Sequence, residues 1–154
     1  DNCWQFAPIP ILGAINIKKS KNMNTVSFET AKRLKEAGFP QPDPEFGQFW
    51  YHNAGSQIAI MESNDAGGHI GKFIRFFGTV NGSLREKSFF SVSIFAPTAT
   101  DILKEIPFVS LSFEVYETRF EFRVWEGLKL IAKHENPHEA AALAWLSIQE
   151  IQKK

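Results

Sequence analysis

Between residues 109 and 125 the chain twice alternates apolar and polar side chains. Val109, Leu111, Phe113 and Val115 interleave with Ser110, Ser112, Glu114 and Tyr116; Phe120, Phe122 and Val124 then interleave with Arg119, Glu121, Arg123 and Trp125. A period of two belongs to strands, because successive side chains point to opposite faces of a sheet. The connection between the runs is short, which predicts antiparallel pairing with one face buried and the other wet. A turn near Glu126-Gly127 leads to Leu128, Leu130 and Ala132, which predict one further strand.

The period then changes. Asn136 can accept a hydrogen bond from an orphan N–H of a first helical turn, Pro137 suits the first helical position, and Glu139 can close a capping box. A helix is predicted from Pro137 to about Gln152, with Ala140, Leu143, Ala144, Ser147, Ile148 and Ile151 at core spacing. A second N-cap, Ser27, precedes Phe28–Ala37, where Phe28, Ala31 and Leu34 share a face; Gly38 stops that helix and Phe39 can fold back on Leu34. Pro40, Pro42 and Pro44 prevent its resumption.

Between the helices lie more strands. Phe49-Trp50-Tyr51 and Ile58–Met61 flank a turn at Asn53-Ala54-Gly55-Ser56, while His69–Val80 and Leu84–Phe95 flank Asn81-Gly82, a strong hairpin signal. Residues 64–68 read as an exposed, mobile loop. Thr98 and Asp101 form a capping box ahead of a short helix that Pro107 ends. The order predicts an α+β fold: a mainly antiparallel sheet of about seven strands packed with an N-terminal, a short middle and a C-terminal helix.

Residues 23–154 read as a single domain. Asp1–Ile17 gives way to Lys18-Lys19-Ser20-Lys21-Asn22 just before Met23. That junction fits a start at Met23 with residues 1–22 as translated upstream sequence, and a genuine N-terminal arm is the rival reading. A secretory peptide fits worst, because its positive region precedes its apolar region and here the order is reversed.

Three segments together resemble a family of small proteins encoded by phages, prophages and related mobile elements of bacteria. They are Leu34-Lys35-Glu36-Ala37-Gly38-Phe39-Pro40-Gln41, then Phe95-Ala96-Pro97-Thr98 with Asp101-Ile102-Leu103, then Asn136-Pro137 with Glu139-Ala140 and Ala144-Trp145-Leu146. The resemblance spans most of residues 27–148. It brings no established activity, and implies a phage-like origin, the cytoplasm of a bacterial host and an accessory role.

Seventeen basic and seventeen acidic residues give no net charge, which removes the broad attraction most nucleic-acid and anionic-membrane binders use. No apolar run is long enough to span a membrane. Cys3 is the single cysteine, so neither an internal disulfide nor a cysteine zinc site is expected. The four histidines are scattered, and Pro137 interrupts the only pair at helical spacing, His134 and His138. Asp101, Thr98 and Glu139 are explained by capping, and no nucleophile motif is present. The expectation is therefore no catalytic residues, no metal and no cofactor.

What remains is binding. Arg119, Arg123 and Trp125 on the wet strand face are the candidate contacts for a protein partner, arginine and tryptophan being enriched at interface hot spots; an ordinary solvated face with cross-strand ion pairs is the plainer alternative. Lys72-Phe73-Ile74-Arg75-Phe76-Phe77 interleaves basic and aromatic residues as a single-strand stacking platform does, and Lys72, Arg75, Arg85 and Lys87 are the candidate contacts for nucleic acid or another anion. Alternation places Lys72, Ile74 and Phe76 on one face, so one phenylalanine set belongs to the core. Gly67–Lys72 motivates a third reading, sequestration of a small nucleotide-like anion. Protein binding leads, in a non-enzymatic accessory protein.

Overall fold

The computed structural model describes residues 24–53, 55–65 and 72–154, the side chains of 62–65 and 72 excepted. The chain runs α1 (Phe28–Glu36), β1 (Phe49–His52), β2 (Ser56–Asp65), β3 (Lys72–Gly78), β4 (Gly82–Arg85), α2 (Glu86–Val92), β5 (Ser93–Phe95), α3 (Ala99–Glu105), β6 (Ser110–Tyr116), β7 (Arg119–Glu126), β8 (Lys129–His134) and α4 (Pro137–Gln152). All pairing is antiparallel. The α+β class stands, with the strands divided between a five-stranded sheet, β4-β3-β2-β1-β5, and a three-stranded one, β6-β7-β8. Residues 1–23, the start-site junction among them, lie outside the described residues, as do 66–71.

Local chemistry sets the helix ends. Ser27 Oγ accepts from the Thr30 N–H, and at the other end of α1 Gly38 takes φ 95°, which lets Phe39 N–H reach Leu34 O at 2.8 Å and Gly38 N–H reach Lys35 O at 3.1 Å. In α3, Thr98 N–H donates to Asp101 Oδ2 at 2.9 Å while Asp101 N–H donates to Thr98 Oγ1, so the capping box forms as read. Asn136 Oδ1 caps α4, accepting from His138 N–H at 2.8 Å and from Glu139 N–H.

Glu139 does not close the box of its own helix. The Asn136 N–H that it would take donates instead to His134 Nδ1 at 2.9 Å. Its carboxylate is thereby free to reach α1, accepting from the Ser27 N–H at 2.5 Å and from the Thr30 hydroxyl at 2.6 Å. It occupies the place an acid at the third position of α1 would take, where that helix has Thr30. One residue earlier, His138 Nδ1 accepts from Ala99 N–H, the first residue of α3, at 2.7 Å. The first turn of α4 thus caps two other helices.

The predicted strand Leu84–Phe95 is the principal correction, being β4, α2 and β5 in succession. A continuous strand would send Phe89 and Phe90 to opposite faces and strand one of them in water. A helical turn brings both onto Trp50, at ring separations of 5.1 and 5.8 Å. After that turn the chain emerges beside β1 rather than β3, and Trp50 stands opposite buried Phe95. The Asn81-Gly82 hairpin is also displaced, since Gly82 already lies in β4 opposite Phe76 and the bend falls before it. Gly78 ends β3 so close to β2 that a Cβ there would sit 2.6 Å from Gln57 O. Asn64 and Asp65, expected in a loop, extend β2 opposite Phe73 and Lys72.

One continuous core joins both sheets. Trp50, Tyr51, Ile58, Ile60, Ile74, Phe76 and Phe89 fill it on the five-stranded side, and Ala140, Ala141, Ala142, Ala144, Trp145 and Ile148 of α4 meet Val124 on the other. Its polar atoms are paired: Tyr51 OH donates to Val26 O at 2.6 Å, and Trp50 Nε1 to Gln48 Oε1 at 3.0 Å. Ile151, expected in the core, is exposed near the end of α4.

The three-stranded sheet departs most from its alternation. Leu111, Val124 and Ala132 lie opposite one another and pack on the core, as expected of the apolar face. Phe113 and Val115 continue that face yet are 56% and 66% exposed. Register explains why. The β7–β8 ladder stops at Phe122–His134, where the chain turns into α4, whereas β6–β7 continues through Glu121, Phe120 and Arg119. The hairpin tip projects past the elements that would cover it.

Candidate functional site

The register of β6 with β7 places Ser110, Ser112, Glu114 and Tyr116 opposite Trp125, Arg123, Glu121 and Arg119, all on the face away from the core. Lys133 of β8 stands opposite Arg123 on the same face. The three predicted contacts therefore do share a surface, although they differ in freedom. Arg123 Nε and Nη2 both donate to Glu121 Oε1, at 2.9 and 2.6 Å. Its guanidinium lies 4.8 Å from the Tyr116 ring centre and 6.0 Å from that of Trp125. Trp125 Nε1 donates to Ser112 Oγ at 2.9 Å. Donating a hydrogen bond to Glu121 raises the Arg123 pKa above its ordinary value against the opposing effect of burial, with smaller contributions from Tyr116 and the carboxylates of Glu121 and Glu114.

The result is a ladder, Tyr116–Arg123–Trp125, held flat on the sheet by its own contacts. Side chains already fixed in place lose little rotamer freedom when a partner covers them. Arg119, at the tip, is exposed, and its side chain makes no ion pair or hydrogen bond among the described residues. Tyr116, Phe113 and Val115 were not among the sequence candidates. The signal for them lay in relative strand length: a third strand that turns into a helix at Asn136 cannot cover the end of a hairpin closing at residues 117–118.

The basic set is brought together only in part. Ile74 and Phe76 are core, which leaves Phe73, Arg75 and Phe77 on the outer face of β3. Arg85 stands opposite Phe73 with its guanidinium 5.9 Å from the ring centre, and Phe77 is 60% exposed. Arg75 and Arg85 thus share a surface with two phenylalanines. Lys87 does not join them, because α2 packs through Phe89 against Phe76, on the opposite face. The Lys72 side chain and residues 67–71, on which the anion-loop reading rests, lie outside the described residues.

The remaining polar residues have structural duties. Thr98, Asp101, His134, His138 and Glu139 are engaged at helix starts, and no group of three metal-ligating side chains occurs among the described residues. A shallow depression of about 170 Å³ beside Phe39, Pro42 and Phe95 has Asp101 and Lys104 on its rim. Its aspartate is the one that caps α3. No helix among the described residues is long and apolar enough to cross a membrane.

His52 is buried between Phe76 and Phe89, with ring nitrogens 3.0 Å from Ser93 Oγ and 3.1 Å from Asn53 Nδ2. Burial lowers its pKa below the ordinary 6.5. The unfolded chain then binds the proton first on acidification. The stability contributed by neutral His52 is complete above pH 6.5 and is lost as pH falls from there toward the depressed folded value. Urea unfolding from pH 7.5 to 5 should show a declining midpoint, with a slope from this group no steeper than about 1.4 kcal/mol per pH unit. His52→Gln should remove that portion of the slope; an unchanged slope would assign it to other groups.

No protein-family model, curated protein or solved structure matches the chain.

Proposed function

We propose that the chain is a non-enzymatic binding protein, an accessory protein of the phage or mobile-element type, whose protein partner docks on the β6–β7 hairpin. One observation carries this reading: the hairpin tip extends beyond β8 with Arg119 and Tyr116 exposed on one face and Val115 on the other, Phe113 is exposed beside Val115, and the half-buried Arg123 and Trp125 continue the Tyr116 face into the three-stranded part of the sheet. Isolated exposed apolar residues are ordinary, but a projecting element with aromatic and arginine side chains on one face and adjacent apolar ones on the other has the composition of an interaction site. The Arg123 ladder supplies a pre-ordered aromatic–cation surface, and Arg119 adds a charge that an acidic group on the partner can meet.

The test is affinity capture from host lysate followed by titration of the captured protein. Arg119→Ala/Arg123→Ala should weaken binding at least about tenfold, the scale of a lost hot spot. Equal recovery by wild type and this double variant would sink the assignment. The rival surface, Phe73, Arg75, Phe77 and Arg85, supports single-stranded nucleic acid as a second reading, because Arg85 over Phe73 and exposed Phe77 resemble a base-stacking platform. Salt-sensitive oligonucleotide binding that Arg75→Ala/Arg85→Ala abolishes would move the function to that sheet.

A further inference from the structure

Edge strands invite pairing between molecules, and of the four sheet edges among the described residues three carry features that discourage it. β4 and β5 are four and three residues long. β8 bears Lys129, Lys133 and His134, and it is interrupted by a bulge at Ile131, where the register with β7 shifts. β6 has none of these. It is seven residues long, contains neither proline nor a basic residue, and runs in unbroken register with β7. Its hairpin closes through Glu117 and Thr118 onto the Tyr116–Arg119 pair. A two-residue turn closes on a hydrogen-bonded pair, so the alternation of the ladder turns the backbone N–H and C=O of Leu111, Phe113 and Val115 toward the open edge.

We propose that β6 pairs with β6 of a second copy of this chain, antiparallel and centred on Phe113, to form a six-stranded sheet of order β8-β7-β6-β6-β7-β8. In this register Phe113 faces its counterpart, Leu111 faces Val115, Ser112 faces Glu114 and Ser110 faces Tyr116. Apolar residues meet apolar ones on one face and polar residues meet polar ones on the other. Glu114, the only charge in the strand, meets a serine. Centring on Glu114 instead would set two carboxylates directly opposite, and centring on Ser112 would shorten the overlap. Pairing shelters Phe113 and Val115, the exposed part of the apolar stripe. A single strand pair is a small interface, so the dimer is concentration-dependent. It also doubles the Tyr116–Arg123–Trp125 surface, without depending on that surface having a partner.

Sedimentation of the full chain from low micromolar to near-millimolar concentration should move from monomer to dimer. Phe113→Lys puts two cations opposite each other at the centre, and should raise the dimer dissociation constant about a hundredfold or more. Val115→Pro removes an outward N–H at an edge position where proline is tolerated, and should have the same direction of effect. Circular dichroism identifies which variants keep the fold. Arg119→Ala/Arg123→Ala should dimerise like wild type, so loss of a partner and loss of the dimer are read separately. A wild-type chain that stays monomeric throughout, leaving the edge to another protein or to residues 1–23, overturns the proposal. So does undiminished dimerisation of either folded edge variant.

Discussion

Phe89→Ala is expected to cost about 3–5 kcal/mol of stability, the range for removing a fully buried phenylalanine. The side chain is wholly buried, and its ring meets Trp50, Phe90, Phe76 and His52. It also attaches α2 to the sheet, so its loss should act locally as well as globally. Amide exchange in residues 86–92 should accelerate more than in α4, and limited proteolysis should open the chain near Lys87 first. Chemical denaturation measures the global term. If the variant unfolds with the wild-type midpoint, the docking of α2 is not what closes this side of the core.

The second large effect is expected at Glu139. Glu139→Ala removes a carboxylate that accepts one backbone and one hydroxyl hydrogen bond, and it leaves Ser27 N–H at the start of α1 without that acceptor. Hydrogen bonds to charged groups contribute about 1.5–3 kcal/mol each, and partial solvation at this site places the combined loss near about 2–3 kcal/mol. Glu139→Gln, which keeps an acceptor oxygen but not the charge, should lose less than half as much. A cost below about 0.5 kcal/mol for the alanine variant would show that water replaces the carboxylate. Exchange protection in the first turn of α1, far from residue 139 in sequence, is the more discriminating readout.

Glu139 also shows how far the sequence could be read. Asn136, Pro137 and Glu139 mark a helix start on local chemistry alone, and the helix begins there. Which amide the carboxylate would serve depends on two things no local pattern contains: His134 takes the Asn136 N–H, and folding brings Ser27 within reach. The Gly38 stop, the Thr98–Asp101 box and the three strands from 110 to 134 were legible for the same reason, each being decided by neighbours within a few residues. Leu84–Phe95 failed because short mixed runs suit strand and helix alike, and the choice was made by Trp50, more than thirty positions upstream. Among the candidate contacts, Arg119, Arg123 and Trp125 were placed on their common face by alternation alone. The exposure of Phe113 and Val115 was hidden because alternation predicts which residues share a face, and not whether anything covers it.

The bond between Ser27 and Glu139 closes a span of 112 residues. During synthesis α1 leaves the ribosome well before α4, yet the acid that completes its N-terminal cap is made 112 residues after Ser27, and the histidine that serves α3 is its neighbour. Neither helix can acquire its finished start until the C-terminal helix has emerged. Both helix starts should therefore be completed in one step, after α4 is made, and a nascent chain arrested before residue 139 should remain open to protease along both helices even with most of its strands already made.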